Sequence, residues 1–337
     1  MAGAKARNCS IDIFRYFCAV LVVAIHTHPL KTHSFLADFV GVEIFGKIAV
    51  PFFFIVAGYF YTRKLEKGQP AFLSYLKRIL ITYSLWSVVY VILSYVNYKK
   101  SIIEFIKETI EKFFTSGSYY HFWYFPALIF GLCVTTLLFK IRLKKLIIPL
   151  SIVLFALGSF CQAYRYWTTG ISFLDAICAH PDFAVIHKFF MRGFPWFSCG
   201  LLVYHAERKL LPKLSNIKLF ILFGLNFAVW LGEIYLIFKH NPKANFASSL
   251  SLYPLMVIIL LILLKNPLPK LTKVADRCRV LANFSYYSHP LFLFIFAYSG
   301  CLITNLTRFL FAWSVTFVIG LILSEFSKNK VVNLLAG

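Results

Sequence analysis

Residues 10–30, SIDIFRYFCAVLVVAIHTHPL, decide the class of this protein. The run is long and apolar enough to cross a lipid hydrocarbon core, yet it carries Asp12, Arg15 and His26. Lys5 and Arg7 before it give the outline of a secretory signal. Asp12 and Arg15 within the run, with no small-residue cleavage site after it, predict a retained first helix instead. The remainder of the chain repeats the pattern. Of 337 residues, 60% are hydrophobic, 19% aromatic and only 14% charged. With a mean hydropathy of +0.74, this is more apolar side chain than a globule of 38.8 kDa can hide from water.

Apolar runs predict about ten membrane helices in one all-α bundle: residues 11–29, 44–62, 79–97, 119–139, 145–161, 187–205, 217–238, 246–264, 282–303 and 309–326. The formal charge of +22 is scattered through the short loops between these runs, which argues against nucleic-acid binding. Of the Lys and Arg residues, 22 fall on the N-terminal side of the bundle and 12 on the other. Cytoplasmic loops collect cations, so both termini are expected in the cytoplasm, in the plasma membrane of a bacterial-type cell. A single membrane domain over 1–337 is expected, with no appended soluble domain, no internal repeat and no low-complexity tract.

The longest polar connections fall on the opposite, outer side. Within 99–116, Ile102, Ile103, Ile106, Ile110, Phe113 and Phe114 recur at helical spacing opposite Glu104, Lys107, Glu108, Glu111 and Lys112, predicting an amphipathic helix on the outer interface. It reads either as an anchoring strap or as a lid over an outward-facing site. A second outer loop, 162–186, holds Arg165, Asp175, His180 and Asp182. Eight cysteines, among them Cys301, form no CxxC pair and no Cys/His set with zinc spacing, so no metal is expected. Cys161 and Cys178 flank the second loop and are candidates for a disulfide.

Ionisable groups at membrane depth are costly, and each is a functional candidate. Arg15 and His26 are eleven positions apart, almost three helical turns, so one face of the first helix carries both, roughly 16 Å apart. Asp12, one turn before Arg15, can pair with it. Side chains reaching back to the interface are the alternative account of Asp12, Arg15 and His26. His121, Trp123 and Tyr124 open the fourth helix at the outer interface, where aromatic anchoring explains Trp and Tyr but not His. Arg78, Arg192 and Glu233 stand near helix ends. Tyr286 and His289 sit in NFSYYSHPL, expected in the cytoplasmic half of the ninth helix.

No GxSxG elbow, HExxH, P-loop or dinucleotide fingerprint is present, which removes support for serine hydrolase, zinc protease, NTPase and Rossmann chemistry. A histidine that accepts a proton from a hydroxyl, with a cation on the same face to hold an anionic or carbonyl-bearing donor, suits acyl transfer.

The chain resembles the acyltransferase 3 family of integral-membrane O-acyltransferases over nearly its whole length. The family's mark, an Asp, an Arg three residues on and a His after ten more, is met by Asp12, Arg15 and His26. VPFFFIVAGYF (50–60), the basic pair Lys77 and Arg78, HFWYFPAL (121–128) and SYYSHP (285–290) resemble its later landmarks in order. The wording is most similar to the branch that forms the membrane half of vancomycin-resistance serine racemases. The resemblance implies a cytosolic acyl-CoA donor, usually acetyl-CoA, and a hydroxyl acceptor on a glycan or cell-envelope molecule. It implies His26 as general base, Arg15 and Arg78 on the donor with Tyr286 and His289 lining that side, and Asp12 orienting Arg15. The acceptor side would then hold His121, Trp123 and Tyr124, with Arg192 and Glu233 behind them. Because the racemase-linked branch is associated with serine supply, an amino-acid (serine) transporter-like module is the alternative.

Overall fold

The computed structural model describes residues 8–96, 98, 101–298, 304–327 and 329–336. Lys5, Arg7, Cys301 and Lys328, the first two residues of the expected amphipathic segment, and 299–303 of the expected ninth span lie outside them. The described residues form helices and connecting turns, with no strand among them. The principal helices are α1 (Cys9–Thr27), α2 (Ala49–Leu65), α3 (Phe72–Val96), α4 (Ile102–Thr115), α5 (Tyr124–Lys140), α6 (Ile147–Cys161), α7 (Phe194–Lys209), α8 (Asn216–His240), α9 (Leu252–Lys265), α10 (Thr272–Tyr298) and α11 (Asn305–Glu325).

Each of the ten apolar runs contains a helix, and among the described residues seven helical stretches are long and apolar enough to cross a membrane. Helices α5 and α9, with 17 and 14 residues, are shorter apolar helices, and α7 has 16. Several boundaries differ from expectation for local reasons. Residues 246–251 are not an α-helix: Phe246–Ser248 is a 3-10 turn, and the amides of Leu250 and Ser251 are bound by Glu233. Helix α10 begins at Thr272, ten residues before 282, which places His289 well along it. Helix α2 is preceded by a π turn, Phe39–Ile44, and a 3-10 turn, Phe45–Ile48, in one helical stretch from Phe35.

The chain sorts into two compact units, one of residues 1–53, 215–220 and 258–337, the other of 54–214 and 221–257. The first is organised by α1, α10 and α11. Helices α1 and α10 run parallel: Cys9 Sγ lies 3.8 Å from Thr272 Oγ1, and seventeen residues further along each helix the rings of His26 and His289 stack. The seam between them is narrow because α10 presents Ala275, Cys278, Ala282, Ser285 and His289 at three- and four-residue spacing, all buried. Small side chains let two backbones approach closely, which is how helices associate where lipid removes the hydrophobic driving force. Helix α11 returns antiparallel: Phe296 stacks on Phe311, and Arg277 pairs with Glu325 at 2.7 Å. The start of α1 and the end of α11 therefore lie at the same end of this unit. There the unsatisfied first amides of α1 meet the last carbonyls of α9 and the loop after it. Cys9 N–H donates to Pro267 O at 2.8 Å, Ser10 Oγ–H to Asn266 O, and the Asn8 amide to Leu263 O at 2.8 Å.

In the second unit, α5, α6 and α7 pack through glycines. A side chain at Gly193 would meet Ala127 O at 2.7 Å, and one at Gly158 would meet Met191 Cβ at 2.7 Å. Helix α4 is the amphipathic helix expected from the sequence. Ser101 and Glu104 form a reciprocal capping box at its start, and Phe105 packs inward on Tyr95 and Tyr98. Ile102, Ile103, Ile106, Ile110 and Phe114 are exposed on another face of it. Helix α8 has the same division along its length. Trp230, Ile234 and Ile237 are buried, and Phe220, Leu225, Val229 and Leu236 are exposed.

Candidate active site

The first unit gathers five of the expected site residues on α1 and α10. Arg15 donates to Asp12 Oδ1 at 3.3 Å, one turn apart on α1, and both are largely withdrawn from solvent. Pairing keeps the guanidinium at membrane depth without an uncompensated charge. Three turns on, the half-buried His26 ring lies 5.3 Å from that of His289, with 19° between planes. His289 is fully buried, and its Nδ1 faces the carbonyl oxygens of Ser285 at 2.9 Å and Tyr286 at 3.1 Å. A carbonyl can only accept, so Nδ1 of His289 carries the proton, which fixes the ring's orientation. Tyr286 is buried against Phe53. His289 thus stands beside His26, seventeen residues beyond the first residue of α10, which starts ten residues earlier than its apolar run.

Just past His26 lies a polar network that the sequence reading missed. His28, in a left-handed conformation at φ 49°, closes α1, and its Nδ1–H donates to Asp38 Oδ2 at 2.9 Å. Asp38 is buried and also accepts from the Leu30 amide at 3.2 Å; Glu43 bonds Lys47 at 2.7 Å and lies 3.8 Å from His28 Nε2. The Glu43–Lys47 pair has the i,i+4 spacing a sequence can reveal. The closure of residues 28–38 by a histidine and an aspartate has no such periodic signal.

The second unit holds the other six. Arg192 lies over the Trp123 ring, 4.9 Å from its centroid, a cation–π contact. Tyr124 packs on Phe54 at 4.5 Å. His121, expected at an acceptor mouth, is 3% exposed and walled by Tyr90, Tyr119, Tyr120 and Phe122, with ring centroids 4.0 to 5.8 Å away. The tight loop before α5 folds it inward. Gly117 there has φ 88° and approaches Phe122 so closely that a side chain would meet Phe122 C at 2.4 Å. Ser118 N–H donates to Tyr83 Oη at 3.2 Å, while the Tyr83 hydroxyl donates to Phe113 O at 2.7 Å.

Glu233 is engaged by its own chain. Its oxygens accept from the amides of Leu250 (2.5 Å) and Ser251 (2.9 Å) and from the hydroxyls of Ser251 and Tyr164. The carboxylate thereby binds amides at the start of α9, where a negative charge is favoured. Burial, then the bond to Glu233, pushes the Tyr164 phenol well above its ordinary pKa. Next to it, Arg165 pairs with Asp175 at 2.5 Å, which raises the guanidinium pKa and ties the second loop shut. Cys178 Sγ lies 4.0 Å from Cys161 O, and both are free thiols. Arg78 is exposed on α3.

Comparison with known proteins gives this arrangement a family. Residues 8–325 match the acyltransferase domain Acyl_transf_3. The chain is 30% identical over 346 residues to an amino-acid racemase of Enterococcus faecalis, covering 98% of this chain and 48% of that protein. It is also 30% identical over 228 residues to a serine/alanine racemase of Enterococcus gallinarum, 65% of this chain and 32% of that one. The chain thus spans about half the length, or less, of these curated relatives. No solved structure matches it. A helical, multi-pass membrane protein that carries Asp12, Arg15 and His26 on its first helix and matches this domain from residue 8 to 325 belongs to the acyltransferase 3 family.

Proposed function

We propose that the protein moves an acyl group, acetyl in the simplest case, from a cytosolic acyl-CoA to a hydroxyl of a glycan or other cell-envelope molecule outside a bacterial plasma membrane. The observation that carries this reading is the polar stripe of α1, with a paired cation at one end and a histidine, held against a second histidine of fixed orientation, at the other. The start of α1 and the end of α11 lie at one end of the first unit, and the stretch leading into α10 at that end carries Lys265, Lys270, Lys273, Arg277 and Arg279. This supports a cytoplasmic location for the Arg15 end.

His26 accepts the hydroxyl proton of the acceptor as its oxygen attacks the thioester carbonyl. The carbon–oxygen bond forms, the carbon–sulfur bond breaks, and the proton passes from His26 to the departing thiolate. Arg15 and His26 are roughly 16 Å apart along α1. No side-chain motion covers that distance, so Arg15 holds the phosphate-bearing end of the donor while the extended pantetheine arm carries the thioester toward His26. Asp12 fixes the Arg15 fork, and His289 fixes the plane of His26. Tyr286, buried against Phe53 in the same unit as His26 and His289, belongs to this reading as a further donor contact.

The test is the unfolding temperature of the purified protein with acetyl-CoA, free CoA and L-serine, on wild type and Arg15→Ala, because a ligand of the native state raises apparent stability. Stabilisation by acetyl-CoA that is lost in Arg15→Ala is the expected result. Stabilisation by L-serine alone would favour the second reading, an amino-acid transporter-like module, to which the relatives named as amino-acid and serine/alanine racemases lend support.

A further inference from the structure

Ahead of α7, the segment His187–Gly193 is a π turn. Its hydrogen bonds run from i to i+5, so side chains four and five positions apart come to the same side. His187 and Lys188 precede Arg192 by five and four positions. In α geometry the five-residue step would leave His187 about 140° round the axis from Arg192. In the π turn all three converge, and they lie within electrostatic reach of one another. The turn is clamped on both sides, by Gly193 against Ala127 of α5 and by Met191 against Gly158 of α6, so the convergence is held by packing.

The cluster is cationic and lacks a counter-charge. Among the described residues no carboxylate pairs with Lys188 or Arg192. His187 is 6% exposed, and neither its Nε2 nor Arg192 Nε has a hydrogen-bond partner. Arg192 Cζ lies 4.9 Å from the Trp123 ring centroid, and a guanidinium in a cation–π contact still has N–H groups with which to donate. Two like charges held together beside a buried donor and a buried imidazole nitrogen, both without a partner among the described residues, are costly unless something completes them. Phosphate and carboxylate oxygens match this set: a planar fork, a mobile ammonium and an imidazole edge.

We propose that His187, Lys188 and Arg192, backed by Trp123, form an oxyanion-binding site that takes the phosphate or carboxylate group of a ligand. Calling that ligand the acceptor rests on the acyltransferase reading; the binding of an anion does not.

The test places the protein in phosphatidylcholine nanodiscs and measures its unfolding temperature in sodium phosphate or sodium acetate against sodium chloride of equal ionic strength. Phosphate or acetate is expected to stabilise the wild type beyond chloride. The dissociation constant should rise about tenfold in Lys188→Gln and in Arg192→Gln, and stay unchanged in Lys243→Gln, an exposed cation of the same unit that lies outside the cluster. Lys188 is half-buried and makes no ion pair, so its variant remains informative if Arg192→Gln fails to fold. No stabilisation beyond chloride, or an undiminished effect in Lys188→Gln, overturns the proposal. Repeating the titration in phosphatidylglycerol nanodiscs identifies the source. A phosphate effect that disappears there assigns the site to a lipid headgroup, and one that persists assigns it to a soluble ligand. Loss of the acetyl-CoA effect with retention of the phosphate or acetate effect would remove the acyltransferase reading and keep the site.

Discussion

His26 and His121 look alike in the sequence, each a histidine among apolar residues near a helix end, yet their surroundings differ in kind. His26 is half-buried and faces a polar partner, the His289 ring, whose own proton is fixed by backbone carbonyls. His121 is almost wholly buried, and four aromatic rings pack around it. The first setting stacks the imidazole on a second imidazole, whereas the second packs it among four aromatic rings. A costly residue type in a membrane helix raises the prior for function, and the neighbours decide whether that prior holds.

The sharpest break of this contrast is His26→Ala. Removing a general base costs 10²–10⁴-fold in typical cases, so acetyl transfer should fall by about 10³-fold in a radiolabelled acetyl-CoA assay, with donor-induced stabilisation intact. A rate within a few-fold of wild type would put His26 in the same class as His121. Next in size is Glu233→Ala, which strips the partner from two amides and two hydroxyls. It should cost about 3 kcal/mol, read as a lower unfolding temperature with donor binding preserved. Unaltered stability combined with lost transfer would place Glu233 in the acceptor site. His289→Phe keeps a ring beside His26 but loses the proton that fixes it. A drop of about tenfold in kcat with little change in KM is expected, and a change confined to KM would make His289 a ligand contact. Gly117→Ala tests the loop that folds His121 inward. Its positive φ and the approach to Phe122 predict a loss of about 2 kcal/mol in denaturant unfolding. The smallest effect is expected for His121→Phe, which preserves the aromatic wall: transfer within about twofold of wild type. A hundredfold loss there would erase the distinction.

Much of this architecture is legible in one sequence, because apolar run length and the three-turn spacing of Arg15 and His26 depend on nothing but the chain's own periodicity. The amphipathic face of α4 is legible for the same reason. Other features depend on partners remote in sequence. Glu233 reads as a near-terminal carboxylate, since the groups that engage it are backbone amides seventeen and eighteen residues on, which have no sequence signature. The same holds for the π turn at His187–Gly193, whose residues have no distinctive propensity and which exists because Gly158 and Gly193 allow close packing. His289 was named from its motif, but its place beside His26 follows from where α10 begins, a boundary hidden by the basic, less apolar turns at Thr272–Arg279.

The parallel seam of α1 and α10 also sets a timetable for synthesis. Cys9 and Thr272 meet at one end of it and His26 and His289 further along, so every contact across the seam joins residues about 263 positions apart. At about 5–20 residues per second, α10 is made roughly 13–50 s after α1. Through that interval α1 resides in the bilayer with its own Asp12–Arg15 pair as a local means of tolerating the buried charge. That pair is local to α1 and needs no residue of α10 to form.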